Sequence, residues 1–332
     1  MVRRFLRGLL LACLTSTLAY AGDNVINFST NSSDVDALVR QKGTSNQFKV
    51  TESITSSKLK IHGYSKSDEF LTQNGNRNKL LIKSLKAKDE IEIGITQDGS
   101  DNVIDLSSSN VQSTNGSIKF KVFQSGNGNE FKVNSGISAY DDVTVDVSEE
   151  GGNNKINVDS ITSLSYLNFK VSVYNTGNEE NLIGGVEKKG TIAGLDDLID
   201  NRKLAFSYDK GLQLSGNGVK FEAEIYGTGN KLGVYQVSDS GEAVAKVLIG
   251  DRQAYDSANH NTVVVYQHAT GGKDAYADIS VFGSDRTVRV YQEGEARATI
   301  LVKKTYNSTA PIRVYQKTYD PSGNNEVKVT FE

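Results

Sequence analysis

The 332-residue chain carries 37 Lys and Arg against 40 Asp and Glu, a formal charge of −3, with 31 Gly, two Pro, one Cys and no Trp. A mildly acidic chain argues against nucleic acid or an anionic membrane as its main partner. One cysteine excludes a disulfide framework, and so few prolines leave β-ladders unobstructed.

Arg3, Arg4 and Arg7 precede a short apolar run from Leu9 to Leu18, and Ala19-Tyr20-Ala21 forms an A-x-A site before Gly22. Residues 1–21 therefore read as a secretory signal peptide, which places the mature chain outside the cell or on its surface. Leu10-Leu11-Ala12-Cys13 also spells a lipoprotein box, but the apolar stretch before Cys13 is short, which favours ordinary cleavage. Cleavage after Ala21 would remove Cys13 and three arginines and take the charge from −3 to −6. No later run is long and apolar enough to span a membrane as a helix.

From residue 22 to 185 the chain repeats itself. The pattern Gln-x-Gly-x-x-Asn-x-Φ-x-Φ (Φ apolar) fits 41–50, 73–82, 97–106 and 124–133. A fifth copy, 149–158, keeps Gly151, Asn154, Ile156 and Val158 but has Glu149 where Gln stood. Successive starts lie 32, 24, 27 and 25 residues apart, the sign of a stacked array. Within a unit, Ile118, Phe120, Val122 and Gln124 share one parity, with Lys119 and Lys121 on the other. Asn129, Phe131 and Val133 continue the inward set after the turn. Such alternation predicts half-buried strands. The fold expected is all-β: a β-solenoid of strand–turn–strand repeats of about 24–27 residues.

The inward amides need a reason, because an isolated buried amide is costly. In a stack with rungs about 4.8 Å apart, each amide can bond its copies above and below. The expected ladder members are Gln41, Asn46, Gln73, Asn78, Gln97, Asn102, Gln124, Asn129 and Asn154. Gly43, Gly75, Gly99, Gly126 and Gly151 supply turns that tolerate positive φ.

Residues 186–215 break the pattern and read as an irregular insertion or linker. Alternation resumes over 216–332 as a variant in which Val-Tyr-Gln recurs, adding Gln267, Gln292 and Gln316 to the expected ladder at spacings of 25 and 24. The residue before the Gln position becomes aromatic along the chain: Phe123, Tyr174, Tyr226, Tyr266, Tyr291 and Tyr315. Parity points these rings outward, predicting one exposed aromatic stripe.

Catalysis finds no constellation. His62, His260 and His268 lack metal-ligand spacing, and no nucleophile elbow or phosphate loop occurs. Paired acids such as Asp141-Asp142 sit at turns or strand starts. A calcium β-roll would need an Asp at a fixed position in every rung, where this chain has Asn or Gln. No catalytic residue, metal or cofactor is expected.

The Gln-x-Gly-x-x-Asn core, with Ser117 ahead of Gln124 and alternating strands on both sides, resembles the curlin repeat over about residues 39–158, with weaker echoes from 169 onward. The curlin family supplies the subunits of curli, the amyloid fibres of bacterial biofilms. The resemblance implies a β-solenoid subunit that self-associates or joins other curlin-like subunits, with an outer-membrane export pore and a nucleator as further partners. The chain departs from the family in its longer period, its greater number of repeats, and Phe, Leu or Ile two places after Asn. The function expected is a secreted structural protein of extracellular fibres. The alternative is a monomeric solenoid adhesin that binds glycans or a surface through the Tyr stripe.

Overall fold

The structure, a computed structural model, describes residues 9–16, 23–28, 34–62, 71–106, 110–133, 136–158, 161–174, 182–184, 212–227, 229–250, 261–269, 274–283, 287–304, 312–317 and 326–331. The described chain is all-β and winds as a solenoid in which equivalent strands of successive rungs pair in parallel. Each rung contributes to three stacks, one more than the strand–turn–strand unit expected.

The first stack runs through β3 (Asp34–Lys42), the end of β4 (Ser45–His62), β5 (Leu71–Asn74), the end of β6 (Lys79–Asp98), β9 (Ile118–Ser125), β12 (Val143–Glu150) and β15 (Tyr166–Tyr174). It continues through β18 (Gly218–Tyr226), β20 (Ala243–Ile249), β22 (Asp274–Gly283), β24 (Glu295–Lys304) and β26 (Glu326–Phe331).

The second holds β2 (Asp23–Phe28), the starts of β4 and β6, β7 (Val103–Asp105), β10 (Glu130–Val133), β13 (Lys155–Val158) and β16 (Leu182–Ile183). The third holds the middles of β4 and β6, then β8 (Asn110–Ser113), β11 (Ile137–Ala139), β14 (Ile161–Ser163) and β17 (Leu212–Gly216). Towards the C-terminus single strands serve both: β19 (Lys231–Ser238), β21 (Thr262–Ala269), β23 (Thr287–Glu293) and β25 (Ile312–Lys317). Leu9–Ser16, inside the expected signal peptide, forms β1 and pairs with β3.

Register explains the irregular first interval. Leu38 pairs with His62 and Arg40 with Thr72, so partners two residues apart on β3 are ten apart on the next rung. The stack also bridges the interruption near 186–215. β14 pairs with β17 and β15 with β18, and Leu212–Gly216 is a strand. The remaining residues of that segment, 186–211, lie outside those described.

Inward parity makes one continuous core. A first-stack column reads Ile61, Ile93, Phe120, Val145, Phe169, Phe221, Ala245, Ala277 and Ala298, all at most 2% exposed. Phe169 and Phe221 stack with ring centroids 6.2 Å apart. On the outer face another column alternates in sign: Lys121, Asp146, Lys170, Glu222, Lys246 and Asp278. Opposite charges directly across a pair favour this register, and a slip of one rung would bring like charges together.

Candidate functional site

The turn between the first and second stacks is built from the repeat motif. Gly75, Gly99, Gly126 and Gly151 have φ between 119° and 143°. A Cβ on Gly126 would lie 2.0 Å from the Gly99 carbonyl oxygen, and one on Gly99 would lie 2.1 Å from that of Gly75. The glycines therefore answer both to the left-handed backbone and to the close approach of the turn one rung below. Gly43 receives the same crowding from above, since its carbonyl oxygen lies 1.5 Å from a Cβ on Gly75.

The Gly-x-x-Asn spacing follows from one hydrogen bond. Asn129 Nδ2 donates to the Gly126 carbonyl at 2.6 Å, and Asn154 Nδ2 to Gly151 at 2.8 Å. The same amide then donates onward to the next rung. Asn46 reaches Asn78 Oδ1 at 2.8 Å, Asn78 reaches Asn102 at 2.9 Å, Asn102 reaches Asn129 at 3.0 Å and Asn129 reaches Asn154 at 3.1 Å.

The glutamines run the opposite way. Gln73 Nε2 donates back to Gln41 Oε1 at 2.7 Å, Gln97 to Gln73 at 2.8 Å and Gln124 to Gln97 at 2.8 Å. All of these Asn and Gln side chains are fully buried. Two columns of amide dipoles thus flank the turn with opposing polarity, and the burial penalty of each group is offset by its copies.

Gln267, Gln292 and Gln316 form a second ladder in a different place. Gln267 Nε2 donates to Gln236 Oε1 at 3.0 Å, Gln292 to Gln267 at 2.9 Å and Gln316 to Gln292 at 3.0 Å. Register places this column in the third stack, above Leu85, Val111, Ile137, Ile161 and Leu214. The first ladder's own column becomes apolar after Glu149, through Val173, Ile225, Ile249 and Val281. The glutamines expected to share one ladder therefore form two.

The second ladder also needs room. Where the first stack carries Ile118, Val143, Leu167 and Val219, the later rungs carry Ala243, Ala275 and Ala296. Gln267 then reaches the Ala243 carbonyl at 2.8 Å, and Gln292 reaches that of Ala275 at 2.7 Å.

The aromatic stripe is corrected in two respects. It is not one column: Phe123 registers with Thr96 and Ser148, Tyr174 with Tyr226, and Tyr266 with Tyr235, Tyr291 and Tyr315 in the third stack. Tyr266 and Tyr291 are also not exposed. Tyr266 is 7% and Tyr291 3% exposed, whereas Tyr174 is 56% exposed. Stacking accounts for much of this. Ring centroids are 4.6 Å apart for Tyr235–Tyr266 and 4.7 Å for Tyr266–Tyr291, so neighbouring rungs cover the ring faces. The Tyr291 hydroxyl also donates to Glu293 Oε1, and His268 Nδ1 lies 2.5 Å from Glu293 Oε2. Burial and the Glu293 charge raise the Tyr235 phenol.

Of the other histidines, His62 pairs with Asp36 at 2.5 Å and His260 lies outside the described residues. No group of three or more His, Cys, Asp or Glu that could hold a metal ion occurs among the described residues.

Sequence reasoning missed Asn230 and Asn261. Both are fully buried: Asn230 Nδ2 donates to Gly227 at 2.9 Å, and Asn261 Oδ1 accepts the Asn230 backbone N–H at 2.9 Å. The Gly-x-x-Asn spacing at 227–230 carried the signal for Asn230. The chain matches no family model, no curated protein and no solved structure.

Proposed function

We propose that this chain is a secreted, curlin-like structural protein that forms or decorates extracellular amyloid fibres of a biofilm matrix, with a role in cell adhesion. The observation that carries the reading is the in-register parallel stack with like amides bonded rung to rung. That is the arrangement by which separate chains join in a cross-β fibre. Its partners would be further copies or related subunits, with export through an outer-membrane pore and growth from a nucleator as the curlin resemblance implies.

The C-terminal strand supports the same reading. On β26, Val327 and Val329 occupy the inward columns of Ala298 and Ile300, yet they are 46% and 36% exposed. Apolar inward residues beside strand-edge donors and acceptors form a template for another rung. The alternative, an adhesin using an exposed Tyr stripe, would draw on Tyr174, which is 56% exposed, and less on the buried Tyr266 and Tyr291.

The test is assembly of the purified secreted chain. It should form fibres that bind amyloid dyes and diffract at roughly 4.7 Å, and Val327→Lys with Val329→Lys should suppress elongation. A wild-type chain that stays monomeric for days at high concentration, seeded or not, would contradict the proposal.

A further inference from the structure

The first glutamine ladder stops at a corner where three buried oxygens have no hydrogen-bond partner: Gln124 Oε1 and both carboxyl oxygens of Glu149. Glu149 is 1% exposed and registers directly with Gln124 on β9 and with Val173 on β15. In the fifth copy of the motif it stands where the first four have Gln.

The ladder's polarity makes the mismatch specific. Each Nε2 points to the preceding rung, and its other hydrogen finds a backbone carbonyl: Gln41 that of Gln47 at 3.1 Å, Gln97 that of Val103 at 3.4 Å and Gln124 that of Asn102 at 3.2 Å. Those carbonyls resist flipping of the amides, so the ladder's last open group is an acceptor. A further Gln would supply a donor there. An ionised carboxylate would instead set acceptor against acceptor in a dry corner.

We propose that Glu149 is a neutral carboxylic acid in the folded stack and donates its O–H to Gln124 Oε1, making it a proton-operated end to the ladder. A proton then takes the place of the missing amide hydrogen, and the rungs around residues 118–174 loosen when it leaves.

The surroundings favour the neutral form. β9 and β15 present Gln124 and Val173 inward. The nearby charges are Glu130 on β10, Lys155 in register with Glu130 on β13, and Glu150, the exposed next residue of β12. Burial first, and the Glu130 charge second, hold the Glu149 carboxyl well above the ordinary carboxylate range. The sign of the effect follows. In the unfolded chain Glu149 loses its proton at ordinary carboxylate pH, while the folded chain keeps it. Stability is therefore full in acid, falls as pH rises above the ordinary carboxylate value, and reaches its floor above the folded value.

The test compares wild type with Glu149→Gln by thermal unfolding from mildly acidic to mildly alkaline pH, together with infrared spectra at neutral pH. The wild-type midpoint should fall with pH across this range. Glu149→Gln should have the higher midpoint at neutral pH and a flatter profile. Wild type should also show a protonated carboxyl carbonyl band at neutral pH that Glu149→Gln lacks. The infrared readout on wild type stands even if the variant does not fold. Absence of that band would mean an ionised Glu149 and would overturn the proposal. So would parallel pH profiles, or a wild-type midpoint that follows added Na⁺, K⁺ or Ca²⁺ instead of pH.

Discussion

The rungs between Gln41 and Asn154 and those between Gln236 and Gln316 solve one problem in two places. Both bury a glutamine column and satisfy it with copies of itself. The earlier column sits at the end of the first stack, beside a turn of glycines and capping asparagines. The later one sits in the third stack, facing alanines. A ladder therefore does not belong to one location in the solenoid. It needs an in-register copy in each rung, a backbone carbonyl for the second amide hydrogen, and matching space across the core.

The space requirement couples distant parts of the sequence. In the earlier rungs the third stack holds Leu85, Val111 and Ile137, and the first stack holds large residues such as Phe120 and Phe169. In the later rungs glutamine replaces the aliphatic residues of the third stack, and Ala243, Ala245, Ala275 and Ala277 stand in the first. Interiors packed to high density transmit such size changes directly to neighbouring columns.

The largest expected effect lies in the earlier region, where the turn backbones nearly touch. Gly126→Ala should cost about 5 kcal/mol in chemical denaturation, because a Cβ there meets both a positive φ and the Gly99 carbonyl. A loss below about 1 kcal/mol would mean the turns are not stacked closely. A smaller effect separates the later region. Ala277→Phe should destabilise by about 1–3 kcal/mol, since its column has given up the space an aromatic needs. A neutral result would show that the later core is loosely filled.

Much of the earlier region is legible in the sequence because its strands are long enough to alternate and its motif recurs intact. Gln124, Gly126 and Asn129 stand out because the same residue types recur at the same spacing in neighbouring copies. The third stack is not legible: Ile137–Ala139 and Ile161–Ser163 are three residues each, too short for alternation to stand out. The position of Gln267 was hidden for a related reason. Val-Tyr-Gln preserves the period of the repeat while the strand carrying it has moved to another stack, and period alone does not report location. The tyrosines follow from the same shift: parity set Tyr266 outward, but the stacking that buries its faces depends on neighbours in register. Glu149 was visible as an exception to the motif. Its meaning depended on the direction in which the amides donate, which only the three-dimensional ladder gives.

Double-mutant cycles on the glutamines test the two-ladder arrangement most directly. Gln97→Ala combined with Gln124→Ala should be non-additive by more than about 0.5 kcal/mol, because the two amides bond each other. Gln97→Ala combined with Gln292→Ala should add to within about 0.5 kcal/mol, because they belong to different columns many rungs apart. Additivity in the first pair together with coupling in the second would contradict the arrangement.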